Sequence, residues 1–319
     1  MSQARLGEEG RRSPAPRARW NRGRFGPPWE AFWYIVPALL VLSAFTLYPV
    51  FGNLWLSFYR YTFAGATFLG LAQYGALSRD PVFWLSLGNS LFWVVGTLVA
   101  QFAIGYVLAV LIEDHLPVGV QVFRTLFFLP MVITPTVIAL VFNALLSPDY
   151  GGVYGVWLHV LPGVPFPTIF GNPNVATPAV IAVSVWQSTG FFMLLYVAGL
   201  SQIPQETREA AYLDGATTWG LNRYVYIPML RPTHVTLLLL GTIQALQQFA
   251  LIYLITDMGP ANATQILGTY VFHQGFILNN LGYAAAVSIV LFVLSLVLVL
   301  VELKLAGGRF TIGGARVES

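Results

Sequence analysis

Glu209-Ala210-Ala211-Tyr212-Leu213-Asp214-Gly215, running on to Ile227-Pro228, is a polar stretch set between two apolar segments of membrane length, Ala179–Leu200 and Pro232–Ile255. A spanning helix needs roughly 20 mostly apolar residues. Working outward from that loop, four further segments qualify: Phe123–Leu146, Phe83–Leu111 and Phe32–Leu56 before it, and Leu281–Val301 after it. Lipid offers no partner to backbone amides, so only helices or closed barrels cross it. These segments are far longer than barrel strands and lack strict alternation. The expected fold class is an all-α membrane protein with six transmembrane helices and a helical loop at one face.

Composition agrees. The chain has 319 residues, 56% hydrophobic and 9% charged, with a mean hydropathy of +0.69; a soluble domain carries about a quarter charged residues. Cysteine is absent, which excludes disulfides, thiol chemistry and thiolate-bound clusters. His115, His159, His234 and His273 are scattered singly, so no metal site is expected. The apolar run at Phe32–Leu56 exceeds the roughly 7–15 residues of a signal-peptide core, and is expected to be a retained helix.

Net charge is +3, and its distribution gives the orientation. Arg11, Arg12, Arg17, Arg19, Arg22 and Arg24 precede the first span. Arg124 follows the second, Arg208, Arg223 and Arg231 lie between the fourth and fifth, and Lys304, Arg309 and Arg316 follow the sixth. The other side has only Arg60 and Arg79. The positive-inside rule then places both termini and the Glu209 loop in the cytoplasm. Next to a membrane helix the basic tail is a topology signal that favours anionic lipid, and no nucleic-acid partner is expected. Residues 1–30 are expected to be a disordered basic tail, 31–305 a membrane domain with its core at 83–303, and 306–319 a second cytoplasmic tail. The stretch from about Gly52 to Asp80 is aromatic-rich and suits the membrane interface. Ser147–Pro178 reads as an irregular outer loop with a short helix over Val153–Val160. Pro130 and Pro135 interrupt the third span and predict a kink.

Charged residues are nearly absent from the span interiors: Glu113, Asp114 and His115 fall at one end, and Glu302 at the last helix boundary. That argues against proton coupling, which needs ionisable groups within the membrane; sodium coupling through backbone carbonyls stays open. A phosphate-cradling loop needs Lys followed by Ser or Thr. The only lysine, Lys304, is followed by Leu305, so the chain is not expected to hydrolyse ATP or to act as an enzyme. In the loop itself, Ser201 through Glu206 reads as a helix start with a capping serine. Gly215 reads as the helix end, and a second short helix is expected over Thr217–Tyr226, stopped by Pro228. Small alanines allow close backbone approach and Glu209 and Asp214 offer fixed charges. The stretch is either a docking surface or a solvated connector.

Glu209-Ala210-Ala211, three residues, Gly215, nine residues, then Val225-x-Ile227-Pro228 resembles the cytoplasmic signature of bacterial binding-protein-dependent ABC transporter permeases. Val225 and Ile227 stand where that family typically has Ile and Leu. Phe68-Leu69-Gly70-Leu71-x-x-Tyr74, Asp80-Pro81-Val82-Phe83-Trp84, Gly88-Asn89-Ser90-Leu91, Arg124-Thr125-Leu126-Phe127-Phe128-Leu129-Pro130, Pro148-Asp149-Tyr150-Gly151 and Gly259-Pro260-Ala261-Asn262-Ala263-Thr264 are similar to the sugar-type members. Thr256-Asp257-Met258-Gly259 replaces the glycine-richer turn expected there. The resemblance runs from about residue 32 to 303. It implies a six-helix importer permease fold in which Glu209, Ala210, Ala211, Asp214, Gly215, Ile227 and Pro228 form the loop that couples to an ATPase. It further implies a second permease subunit in a heterodimer, two ATP-binding subunits carrying ATP and Mg, and an extracytoplasmic solute-binding protein. No cofactor is expected on this chain itself, and the expected location is the bacterial inner membrane.

A neutral polyol needs amide and hydroxyl partners and aromatic faces. Gln244 and Gln248 are one helical turn apart with Gln247 beside them, and Asn143, Trp186 and Gln187 lie near helix ends. These six either line a substrate path or bond across helices as membrane bundles do. The expected function is import of a carbohydrate, an oligosaccharide or related polyol. The alternatives are import of glycerol phosphate or another small solute, a sodium-coupled carrier or channel, and a membrane scaffold.

Overall fold

The computed structural model describes residues 28–62, 65–115, 119–146, 152–160 and 169–306. The basic tail up to residue 27, residues 147–151 and 161–168 of the long loop, and residues 307–319 lie outside the described residues. The chain forms two compact units, Met1–Gly52 and Asn53–Ser319. In the first, α1 (Pro28–Leu42) passes through a π turn at Ser43–Leu47 into α2 (Tyr48–Leu56). Pro49 explains that turn: its ring crowds the carbonyl four residues earlier, at Phe45, and the wider π spacing makes room.

The second unit begins within α2, at Asn53, and continues into an antiparallel hairpin of β1 (Tyr59–Thr62) and β2 (Gly65–Phe68), Tyr59 opposite Phe68. Then comes α3 (Ala72–Leu77). The aromatic segment that the composition assigns to the interface is therefore partly strand. α4 (Pro81–His115) is the longest helix; at 1.5 Å per residue it spans roughly 50 Å, more than the hydrocarbon core. Asp80 caps it, Oδ1 accepting the Val82 amide at 2.9 Å, with Pro81 at the first helical position where no amide is missed. The Asp80 Oδ2 accepts from the hydroxyls of Tyr270 and Tyr283. Burial works to raise this carboxyl, but the two hydroxyls and the Val82 and Phe83 amides outweigh it and hold it below the usual range. Burial, with Asp80 itself, pushes the Tyr270 hydroxyl up to about 12.

The expected third span is broken. α5 (Val120–Val132) and α6 (Pro135–Leu146) meet at 92°. Ile133 is extended, with ψ 132°; Pro135 has no amide hydrogen to continue the α5 ladder, and its ring disfavours helical geometry at Thr134 before it. Pro130 stays inside α5, so Pro135 is the breaker. α7 (Gly152–Val160) meets the expected short helix, and α8 (Pro173–Leu200) follows. α9 (Gln205–Leu213), α10 (Thr218–Leu221) and α11 (Ile227–Met229) form the loop, with a π turn at Asn222–Tyr226. The expected fifth span is also broken, into α12 (Arg231–Leu246) and α13 (Ala250–Thr256), bent by 45°. α14 (Leu267–Phe272) and α15 (Leu281–Leu305) end the described chain. Among the described residues, four helices are long and apolar enough to cross a membrane alone, and the two bent pairs bring the number to six if each is one span.

α8 is the centre of the bundle. Of its apolar window 67% is buried, against 22% for α15. Phe192, Met193 and Tyr196 of α8 are buried with Trp93 of α4 in one core, Phe192 meeting Phe102 edge to face at 5.5 Å. α15 turns Phe292, Val293, Leu296, Val297 and Leu300 outward, as expected of a helix facing lipid. α5 approaches α8 so closely that a Cβ at Gly190 would lie 2.0 Å from the Phe127 carbonyl oxygen. The neighbour there is backbone, which cannot rotate aside. Gly190→Ala is therefore expected to destabilise the protein by about 3 kcal/mol or more, read as a lowered thermal unfolding midpoint in detergent. An unchanged midpoint would refute the close approach.

Candidate functional site

The loop between α8 and α12 presents one capped helix to solvent. Ser201 does not start it, contrary to the sequence expectation: its amide closes the end of α8 on the Val197 carbonyl at 2.9 Å, and Pro204 occupies the N-cap of α9. Gly215 ends the helix as expected. Its φ is +83°, its amide bonds Tyr212 O at 3.0 Å, and the Ala216 amide bonds Ala211 O at 2.9 Å. These are the paired bonds of a Schellman cap. The Thr217 hydroxyl then accepts the Gly220 amide at 3.2 Å and starts α10. Pro228 does not stop the second helix. The π turn absorbs its ring, just as at Pro49, and the helical path runs on to Met229.

Glu209, Ala210, Asp214, Gly215, Ile227 and Pro228 are exposed, and Leu213 is 89% exposed. Ala211 is half-buried against the core, so it serves close packing within the chain as well. Gln205 Nε2 donates to Glu209 Oε1 at 2.7 Å, which fixes that carboxylate along the helix. An ideal Cβ built at Gly215 would meet nothing within 4 Å.

Three residues absent from the sequence-level site hold this loop down. Arg208 donates to the Leu200 carbonyl at 2.6 Å, pairs with Asp114 of α4 at 3.6 Å and lies 5.3 Å from the centre of the Tyr226 ring. The Tyr226 hydroxyl donates to Asp114 Oδ1 at 3.0 Å. Burial and the adjacent Asp114 carboxylate push that phenol up from its ordinary value, so it stays a donor. The available signal was an arginine in the loop and an acidic pair, Glu113-Asp114, at the same predicted face.

A second feature lies inside the bundle, a cavity of about 260 Å³. Thr97 and Gln101 of α4, Ser184, Gln187 and Ser188 of α8, and Gln244, Gln247 and Gln248 around the end of α12 line it, with Met131 and Pro135 beside the α5–α6 bend. None of the lining side chains is charged. Gln187 Nε2 donates to the Ile133 carbonyl at 3.0 Å, satisfying a group that the bend frees. The side chains of Gln101, Gln244, Gln247 and Gln248 carry no hydrogen bond within the described residues. The α12–α13 break falls at Gln247-Gln248-Phe249, where Phe249 has φ −139° and ψ −58°, so it brings two of the amides to the cavity.

Four of the six expected path residues thus meet in one place. The other two do not. Asn143 donates to the Ile255 carbonyl at 2.9 Å and ties α6 to α13. Trp186 is 48% exposed, meets Phe142 edge to face at 5.5 Å, and lines an apolar groove with Phe127 and Ile181. One residue along a helix is a turn of about 100°, which separates Trp186 from Gln187. Thr97, Gln101 and Ser184 were missed because each is a lone polar residue in an apolar run.

Residues 101–305 match the family model described as binding-protein-dependent transport system inner membrane component. The chain is 33% identical over 278 residues to the probable ABC transporter permease protein YurN of Bacillus subtilis, covering 85% of this chain and 94% of that one. It is 32% identical to the trehalose/maltose transport system permease protein MalF of Thermococcus litoralis, covering 86% and 92%. To the lactose transport system permease protein LacF of Rhizobium radiobacter it is 31% identical, covering 86% and 93%. Among solved structures it is similar to a chain of a bacterial alginate ABC transporter in complex with an alginate pentasaccharide-bound periplasmic protein. There the TM-score is 0.77 at 22% identity, over 88% of this chain and 94% of that one, a likeness of fold.

Proposed function

Because the chain belongs to the family of binding-protein-dependent transport system inner membrane components, we propose that it is one permease subunit of an ATP-driven importer for a carbohydrate. The observation that carries the reading is the pairing of an exposed, Schellman-capped α9 at one face with an uncharged, amide-lined cavity in the bundle. In this reading α9, through Glu209, Ala210 and the Gly215 turn, docks on an ATP-binding subunit. A second permease subunit completes the pathway, two ATP-binding subunits carry ATP and Mg, and an extracytoplasmic binding protein delivers the solute on the other side. The chain crosses the bacterial inner membrane with both termini inside, which the arginine distribution supports. An oligosaccharide or related polyol is the substrate class, because amides and hydroxyls in the cavity suit a neutral, hydroxyl-rich solute better than a phosphate ester.

The mechanism follows from those parts. ATP closes the two motor subunits, α9 moves with them, and the bundle exchanges its outward opening for an inward one. The chain itself supplies no phosphate-binding loop. The test is reconstitution of the co-purified subunits in proteoliposomes with the solute-loaded binding protein. Solute entry is expected to need ATP and every subunit. Entry through this chain alone, without ATP, would refute the importer reading.

A further inference from the structure

We infer that Tyr106 and Tyr226 are positioning residues that bolt the coupling loop to α4, so that motion of α9 reaches the cavity through α4 rather than along the chain into α12. The inference rests on the importer reading above. It begins with the π turn at Asn222–Tyr226, the least regular part of the loop. Both of its ends are tied to α4. At its start, the Tyr106 hydroxyl donates to Asn222 Oδ1 at 2.5 Å; at its end, the Tyr226 hydroxyl donates to Asp114 Oδ1 at 3.0 Å. Tyr106 and Asp114 are roughly two turns apart on α4. Arg208 adds α9 to the same anchor through Asp114 and the face of Tyr226.

The alternative route is weaker. α11 covers only Ile227–Met229 and gives way at Leu230, with ψ 6°, before α12 begins. α12 then ends at Leu246 and the path bends by 45°. A push along α12 meets an interruption at each end. α4 is a single helix from Pro81 to His115. It carries Thr97 and Gln101 on the cavity wall, and its first turn is held to α14 and α15 through Asp80. It thus touches the loop, the cavity and the opposite end of the bundle as one helix. α8 does so too, through Leu200, Ser184 and Thr177, but it holds the loop by one backbone carbonyl, whereas α4 holds both ends of the π turn by side chains. Tyr226 is 1% exposed, so its part in this is internal and separate from the exposed docking surface of α9.

The test uses the full complex in proteoliposomes, with solute entry and ATP hydrolysis measured together. Tyr226→Phe and Tyr106→Phe each remove one hydroxyl and keep the ring. Each is expected to lower the solute moved per ATP hydrolysed by about threefold to tenfold, the scale of one lost hydrogen bond to a polar or charged acceptor. Subunit stoichiometry and the unfolding midpoint are expected to stay near wild type. Asn222→Asp keeps the acceptor for Tyr106 but loses the amide donor to the Thr218 carbonyl, so it is expected to lower the unfolding midpoint while keeping the wild-type ratio. An unchanged ratio in both phenylalanine variants, with ATP-driven entry intact, overturns the inference and leaves the importer reading standing. Loss of assembly in both overturns it too, in favour of a purely structural role. Absence of ATP-driven entry in the wild-type complex refutes the importer reading, and the inference with it.

Discussion

Gly215→Asp is expected to cut solute entry through the assembled importer to background, while the chain still folds and inserts. Two costs are separable. Within the chain, the left-handed backbone at φ +83° charges a non-glycine residue about 1 kcal/mol, and aspartate is among the residues that tolerate it best. No atom stands within 4 Å of the new Cβ, so there is no internal clash. Docked against a partner, the same carboxylate would be held at a closed, water-poor contact next to Glu209 and Asp214. An unpaired charge there costs on the order of 3 kcal/mol or more, which is about a hundredfold or more in assembly. The expected result is a chain that purifies with a near-normal unfolding midpoint and without its ATPase. Gly215→Ala adds the strain without the charge, and is expected to retain most of the assembly. If Gly215→Asp kept its ATPase and its transport, the exposed end of α9 would not be the docking surface.

The loop between α8 and α12 was legible in the sequence because its signals are local. A glycine at a helix end, a threonine at a helix start and a run of small residues each act over one or two turns, and Gly215 and Thr217 do what those signals imply. Ser201 was misread because α8 runs on to Leu200, and a serine after a long helix closes that helix as readily as it opens the next. Pro135 marked its break correctly, yet a proline alone says nothing of a 92° bend; that angle is set by the packing of α5 and α6 on different partners. The break between α12 and α13 had no signal at all. Leu246-Gln247-Gln248-Phe249-Ala250 contains neither proline nor glycine, so only the tertiary context makes the chain turn there. The anchor on α4 was hidden for the same reason. Tyr106 and Asn222 are 116 positions apart, and no pattern in one sequence links them.

The break matters most for the second large effect. Gln244→Ala with Gln248→Ala is expected to slow ATP-driven entry of the solute by about tenfold to a hundredfold, with assembly and ATPase stimulation retained. The amides of Gln244, Gln247 and Gln248 make no hydrogen bond to described residues, whereas Gln187 in the same cavity spends its amide on the Ile133 carbonyl. An amide used for packing has a protein partner; these three do not, which leaves them free for a hydroxyl-rich solute passing the cavity. Each hydrogen bond lost to a neutral partner weakens binding by about 0.5–1.5 kcal/mol, and two acting together give the stated range. Gln187→Ala separates the two roles. It should lower the unfolding midpoint, because the freed carbonyl at the α5–α6 bend loses its partner, and the Gln244/Gln248 pair should not. Full transport by the double variant would move the solute path away from the α12 break. The cavity would then be a packing defect bridged by water.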